Sequence, residues 1–154
     1  MRSGSNRGAG WVVGQMLLLG ALGAAAPWWR GAWPVFASLV PAVALLFYAA
    51  WTGLHGVRGL GTILTPLPVP RAGGTLVTTG IYARLRHPLY ASLMAMGVAW
   101  VLFWSSAPAL VLAAALCLFL HAKARHEEEQ LCRHFTDYPA YMRRVPRYLP
   151  RLRS

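Results

Sequence analysis

Acidic residues are what this chain has least of: four Asp and Glu stand against fifteen Lys and Arg in 154 residues. All charged residues together reach only 12%, about half the ~25% of an ordinary soluble domain. A soluble domain with a charged surface is thereby disfavoured, and 56% hydrophobic residues point to a membrane protein instead. Cysteine is nearly absent. Cys117 sits in an apolar run and Cys132 in a polar one, which suits neither a disulfide framework nor a zinc site and predicts two reduced packing thiols. His121, His126, Cys132 and His134 are near in sequence, but His121 and His126 fall on different helix faces and HExxH is missing, so no metal is expected. A net charge of +11 raises nucleic acid as a partner. The basic residues would then form one face of a soluble domain. Here they flank apolar runs, and no nucleic acid is expected.

Four apolar stretches are present, at about residues 11–26, 35–51, 88–104 and 107–122. Each is shorter than the ~20 residues that cross a bilayer comfortably. The first alone would suit a signal peptide, but three more follow it and favour a membrane span. Trp28, Trp29 and Trp33 in the first connection, and Trp100 and Trp104 near the third, would share one interface as an aromatic belt.

The basic residues set the orientation. Arg2 and Arg7 precede the first stretch, and Arg58, Arg71, Arg84 and Arg86 fall between the second and third. Lys123, Arg125 and six further arginines follow the fourth, and Arg30 alone lies in the first connection. With four spans, fourteen of the fifteen cationic residues share one side. Cytoplasmic loops are enriched in Lys and Arg. The expected fold is therefore an all-α integral membrane protein, one domain over residues 1–154, with four transmembrane helices and both termini cytoplasmic in the cell (inner) membrane. Ala91, Ala95 and Ala99 on the third helix, and Gly10 and Gly14 on the first, permit close helix approach. Pro41 predicts a kink in the second.

The cytoplasmic region expected at 66–90 and 123–150 begins with a proline- and glycine-rich stretch, "TPLPVPRAGGTLVTTG", that cannot be helical. Pro88 suits the first position of a helix, with His87 as its cap. Arg84, Arg86 and that helix end form an anion-seeking corner. A helical pattern runs from Ala107 through His134, ~42 Å at 1.5 Å per residue, against a hydrocarbon core of ~30 Å. Its excess carries Glu127, Glu128 and Glu129, three of the four acidic residues. Asp137 caps a further short helix in which Phe135, Tyr138 and Tyr141 form an apolar edge while Arg143, Arg144 and Arg147 face headgroups.

"LVTTGIYARLRHPLY", followed some forty residues later by "EEEQL" and then "VPRYLP", resembles the isoprenylcysteine carboxyl methyltransferase family and its phospholipid methyltransferase relatives. The likeness covers Pro66 to Pro150. It implies an integral membrane enzyme that uses S-adenosylmethionine, with Leu76, Val77 and Tyr82 lining the cofactor pocket. His87, Pro88, Leu89 and Tyr90 match the family's His-Pro-x-Tyr cofactor element. Glu127 and Glu128 match its Glu-Glu pair. The family's substrate-side arginine falls at Lys123, and Arg125 is the alternative. Lysine lacks the planar fork of arginine. Thr136 and Ser92 depart from positions usually held by glycine. No catalytic nucleophile is expected, because donor and acceptor need alignment above all. The acceptor would be lipophilic and enter from the bilayer: an isoprenylcysteine-type carboxylate, a lipid amine or a small thiol. A non-catalytic four-helix subunit, or an enzyme related to membrane sterol reductases, would share the same spans.

Overall fold

The computed structural model describes residues 3–61 and 76–151, and side chains from Gly8 onward. Most of the proline- and glycine-rich stretch lies outside the described residues. Among those described the chain is all helical: α1 (Ser3–Trp28), α2 (Val35–Leu60), α3 (Pro88–Trp104), α4 (Ala107–His134) and the short α5 (Tyr138–Arg144), with a 3-10 turn at Gly80–Ala83. α1, α2 and α4 are long and apolar enough to cross a membrane, while α3 is apolar but only 17 residues long. Pro88 opens α3 and His87 precedes it, as the sequence predicts. α4 runs to His134, so its polar end stands beyond the apolar run.

α3 is the centre of the bundle, packed on α2 along one side and on α4 and α1 along the other. Leu22, Ala26, Val101, Ala109, Leu116 and Leu120 form the core between α1, α3 and α4. The outward faces stay apolar: Phe36, Val40 and Phe47 on α2 and Val111 and Leu118 on α4 are each more than 70% exposed. Water would penalise such surface, whereas lipid tails would not.

Two boundaries extend beyond the sequence expectation. α1 begins at Ser3, and α2 continues nine residues past Trp51, through Thr52–Leu60. The α2 extension contains Gly53, Gly56 and Gly59, which lowers helix propensity, but close packing outweighs that. A Cβ at Gly53 would meet Ser92 Oγ at 2.7 Å; at Gly56, Leu89 at 2.9 Å; and at Gly59, Tyr82 at 3.0 Å. The three glycines, spaced by three, thus seat α3 and the turn before it. Ser92 occupies its unusual position by donating to the Ala49 carbonyl at 2.7 Å. Ala91, Ala95 and Ala99 are all buried, matching the small-residue stripe. On α1, Gly14 lies against Phe119, but Gly10 faces open space, so that half of the expected pair makes no close approach. α2 passes through Pro41 as one helix.

The α1–α2 and α3–α4 connections meet at one end. Gly31 and Ala32 donate to the carbonyls of Trp104 and Ser105, and Ser38 joins Trp33 to the Leu102 carbonyl. The tryptophans of both connections therefore gather at that end, as an aromatic belt requires.

Gly53→Ala should lower the melting temperature in detergent, corresponding to ~1–3 kcal/mol of overpacking. In a Ser92→Ala background the same change should be neutral or stabilising, because the clashing hydroxyl is gone. Equal effects in both backgrounds would contradict the assigned contact.

Candidate functional site

The polar end of α4 meets the start of α3, and one buried carboxylate organises the meeting. Glu128 is 3% exposed. Arg147 donates to both of its oxygens, at 2.7–3.1 Å, and His87 Nε2 lies 3.1 Å from Oε1. Arg86 Nη1 stands 3.2 Å from the same oxygen. Burial alone would raise the Glu128 pKa. The bonds from His87 and Arg147, with the Arg86 charge, outweigh it and hold the carboxyl down at about 2.

The next turn of the network faces inward. Tyr90 donates to Glu127 at 2.5 Å, and His87 Nδ1 approaches the other Glu127 oxygen at 3.7 Å. His87 thus bridges the two glutamates, one ring nitrogen to each, and its ring stacks on Tyr90 at 5.4 Å with planes 7° apart. Burial raises the Glu127 pKa, so its environment differs from that of Glu128 one residue away. On an α-helix 100° separates the two side chains, which sends Glu128 to the arginines and Glu127 to Tyr90. Lys123, one turn earlier on the Glu127 face, is also 3% exposed. It donates to Gln15 of α1 at 2.9 Å and lies 5.3 Å over the Tyr90 ring.

The residues after α5 bind this corner together. Arg86 and His87 donate their backbone N–H groups to the carbonyls of Pro146 and Arg147 at 2.9 and 3.0 Å. Tyr48 of α2 donates to the Tyr148 carbonyl, and the Tyr148 hydroxyl lies 3.3 Å from His121 of α4. The strap Val145–Tyr148 is therefore tied to α2, α3 and α4. Burial pushes the Tyr148 hydroxyl up to about 12, so it stays protonated at neutral pH.

The other expected residues divide. Pro88 is buried and Leu89 packs over Gly56, both shaping the start of α3. Tyr82 donates to the Gly56 carbonyl at 3.3 Å and accepts at its own carbonyl from Tyr141 at 2.6 Å. Val77 packs beside Tyr82, while Leu76 joins Tyr138 and Tyr141. Arg125 is on the Glu128 side of α4, not beside Glu127 and Tyr90 as Lys123 is. Two residues from Lys123, it is exposed and lines an open cleft with Glu128, Glu129, Cys132, Arg133, Met142 and Arg147, on the outer side of the Glu128 cluster. Arg147 does not face headgroups as expected; the acidic α4 turn draws it inward. The anion of the basic corner is internal, because Glu128 meets Arg86 while Arg84 stays exposed. Tyr138 and Tyr141 are buried rather than an open edge, and Asp137 makes no side-chain cap bond. Cys132 is exposed, with its sulfur 3.6 Å from that of Met142, instead of packed. Sequence reasoning gave no role in this corner to Gln15, Tyr48, His121 or Tyr148. A lone amide within the apolar run at residues 11–26 was the only signal for Gln15, which is half-buried.

An all-helical chain with lipid-compatible outer faces and a buried ionic corner defines a helical membrane protein. Residues 37–137 match the family model described as Phospholipid methyltransferase. The chain belongs to that methyltransferase family. It is similar to the cobalt-zinc-cadmium resistance protein CzcN of Cupriavidus metallidurans, 32% identical over 137 residues, covering 79% of this chain and 63% of that protein. It is also similar to the nickel-cobalt-cadmium resistance protein NccN of Alcaligenes xylosoxydans xylosoxydans, 31% identical over 140 residues, covering 79% and 64%. The chain spans a little under two thirds of the length of both relatives. The family match ends before the strap and begins after α1, so Arg147, Tyr148 and Gln15 lie outside it.

Because its pKa is depressed, Glu128 stabilises the fold fully above its ordinary value of 4.5, and that contribution is lost as the pH falls towards about 2. Glu128→Gln should cost about 3 kcal/mol near neutrality, as for a broken buried ion pair. Melting curves should also lose their dependence on pH across that acidic window. An unchanged acid profile would show that Glu128 is not held as described.

Proposed function

We propose that this protein is a membrane-embedded, S-adenosylmethionine-dependent methyltransferase acting on a lipophilic acceptor, most simply an isoprenylcysteine-type carboxylate or a related lipid. The observation that carries the reading is the meeting of Tyr90 and Glu127 at 2.5 Å. It joins the two motifs of the family resemblance, which stand 37 residues apart in the chain. In the proposed topology α1, α2 and α4 cross the inner membrane together with the shorter α3, with both termini and the ionic corner on the cytoplasmic side. The whole chain then acts as one domain.

The corner has groups that fit the methyl donor. S-adenosylmethionine supplies a methyl group on a positively charged sulfur that needs no further activation. Glu127 uses one oxygen for Tyr90 and keeps acceptor capacity for amino or hydroxyl groups of the donor. Arg86 Nη1 is paired with Glu128, but its buried Nε has no hydrogen-bond partner among the described residues, and a carboxylate of the donor would satisfy it. His87 and Tyr90 present stacked rings beside these groups. Leu76, Val77 and Tyr82, on the segment held by α5 and α2, would complete the wall. Glu128 has its oxygens taken, so its part is to hold Arg86, His87 and Arg147 in place.

Lys123, over the Tyr90 ring, would orient the acceptor, while Arg125 lies on the Glu128 side of the helix. Because the donor is already activated, what the protein must supply is alignment and exclusion of water. The strap and the buried start of α3 provide both. The names of the two relatives add a setting, resistance to metals, but no chemistry to this reading.

Calorimetry in detergent with S-adenosylhomocysteine tests the donor site. Glu127→Ala and His87→Ala should each weaken binding at least ~10-fold, about 1.4 kcal/mol. Wild-type affinity in both variants would remove the assignment. For the topology, alkaline phosphatase inserted beside Arg30 should be active and the same enzyme fused after Ser154 inactive; the reverse pattern would invert the orientation.

A further inference from the structure

The cleft outside the Glu128 cluster holds two sulfur atoms that the ionic corner does not use. Cys132, near the end of α4, is exposed, and Met142 of α5 is half-buried. Their sulfurs stand 3.6 Å apart. Both residues line a cleft of about 380 Å³ together with Arg125, Glu129, Arg133 and Arg147. Thiol and thioether therefore come from two different helices. Met142 packs against the buried cluster of Tyr138, Tyr141 and Val145, and that packing fixes where its sulfur lies.

Thiolate and thioether are soft ligands, which select soft cations over the hard ones that oxygen holds. With metal–sulfur bonds of ~2.3 Å, two sulfurs at this separation subtend about 100° at a shared ion, an angle that leaves room for a third ligand. Among the described residues no group of three His, Cys, Asp or Glu side chains is placed to hold a metal, so a zinc-type site is not formed. Charge narrows the choice further. Arg147 is committed to Glu128, while Arg125, Glu129 and Arg133 make no ion pair among the described residues. Two guanidiniums against one carboxylate repel a divalent cation. A monovalent ion on the Cys132 thiolate adds no net charge, and the guanidinium left over favours an anionic third ligand such as chloride or a small thiolate.

We propose that Cys132 and Met142 form a binding site for a soft monovalent metal ion of the Cu(I) class, at the seam between α4 and α5. On binding, the thiol proton leaves to solvent as the bond from Sγ to the metal forms. The thioether donates a lone pair, and no electron is transferred. The site uses none of the chain's histidines, and it is independent of the methyltransferase reading. Arg147 walls the cleft while it grips Glu128. An ion held there ties α5 to α4 beside the joint that anchors the strap, and stabilises the folded chain by mass action.

The full chain in detergent, carrying Cys117→Ala so that one thiol remains, tests the site. One equivalent of Cu(I) should be held against bicinchoninate under argon, and X-ray absorption should show two sulfur neighbours at ~2.3 Å. Met142→Leu, which keeps the side-chain volume, should raise the Kd about tenfold or more and leave one sulfur neighbour. Cys132→Ser should abolish binding. Ag+ in chloride-free buffer should raise the melting temperature of the parent and of neither variant. Equal affinity with and without Met142 would reduce the site to a lone thiol and overturn it. So would a single sulfur neighbour in the parent, uptake retained in Cys132→Ser, or Zn2+ competing equally with Cu(I). The parent's absorption spectrum decides even where a variant fails to fold.

Discussion

A carboxylate buried among cations holds this structure's working end together. Glu128 pairs with both Arg147 and Arg86 and meets His87 within one small volume. Burying any one of those ions alone would be expensive. Together they form a charge-assisted set in which Arg147 makes the bidentate contact suited to its planar fork. The cost of separating them is what keeps the strap after α5 pressed against the start of α3. In a chain with so few acidic residues, their placement on one turn of α4 decides where the arginines of distant segments gather.

From that anchor, order passes to the groups that would meet a ligand. His87 is fixed at Nε2 by Glu128, so its ring plane and its Nδ1 edge are set towards Glu127. Tyr90, stacked on that ring, completes Glu127's contacts. The glycines of α2 set the height of α3 beneath them. Neighbouring glutamates thus divide two tasks by helix geometry: one binds the protein to itself, and the other keeps capacity for a partner.

Much of this arrangement was legible in the residues. Pro88 marked the start of α3, apolar length marked the long helices, and the excess of α4 over a bilayer's thickness placed the glutamates beyond the apolar run. What could not be read was set by tertiary contact. The extension of α2 through Gly53, Gly56 and Gly59 opposes local propensity and exists because α3 packs against it. Arg147 looked like a headgroup anchor because sequence distance hides Glu128 from it. Nothing local in "VPRYLP" announces that its carbonyls receive the N–H groups of Arg86 and His87. Arg125 and Lys123, rivals in the sequence, are separated by the 200° that two helical residues span.

The contrast between Lys123 and the arginines shows how one charge type is put to two uses. Arginine stays protonated and forks across a carboxylate, which serves permanent joints such as Arg147 with Glu128. Lysine is a compact charge on a flexible stem, able to sit over an aromatic ring while its remaining N–H groups turn towards whatever enters. Exchanging the two would move a rigid fork into the narrow seam between α1 and α4, where Gln15 offers one acceptor, and would leave Glu128 with a single point contact. The chain's one departure from arginine among its Lys and Arg residues falls where the internal partners are a neutral amide and an aromatic ring, not a carboxylate.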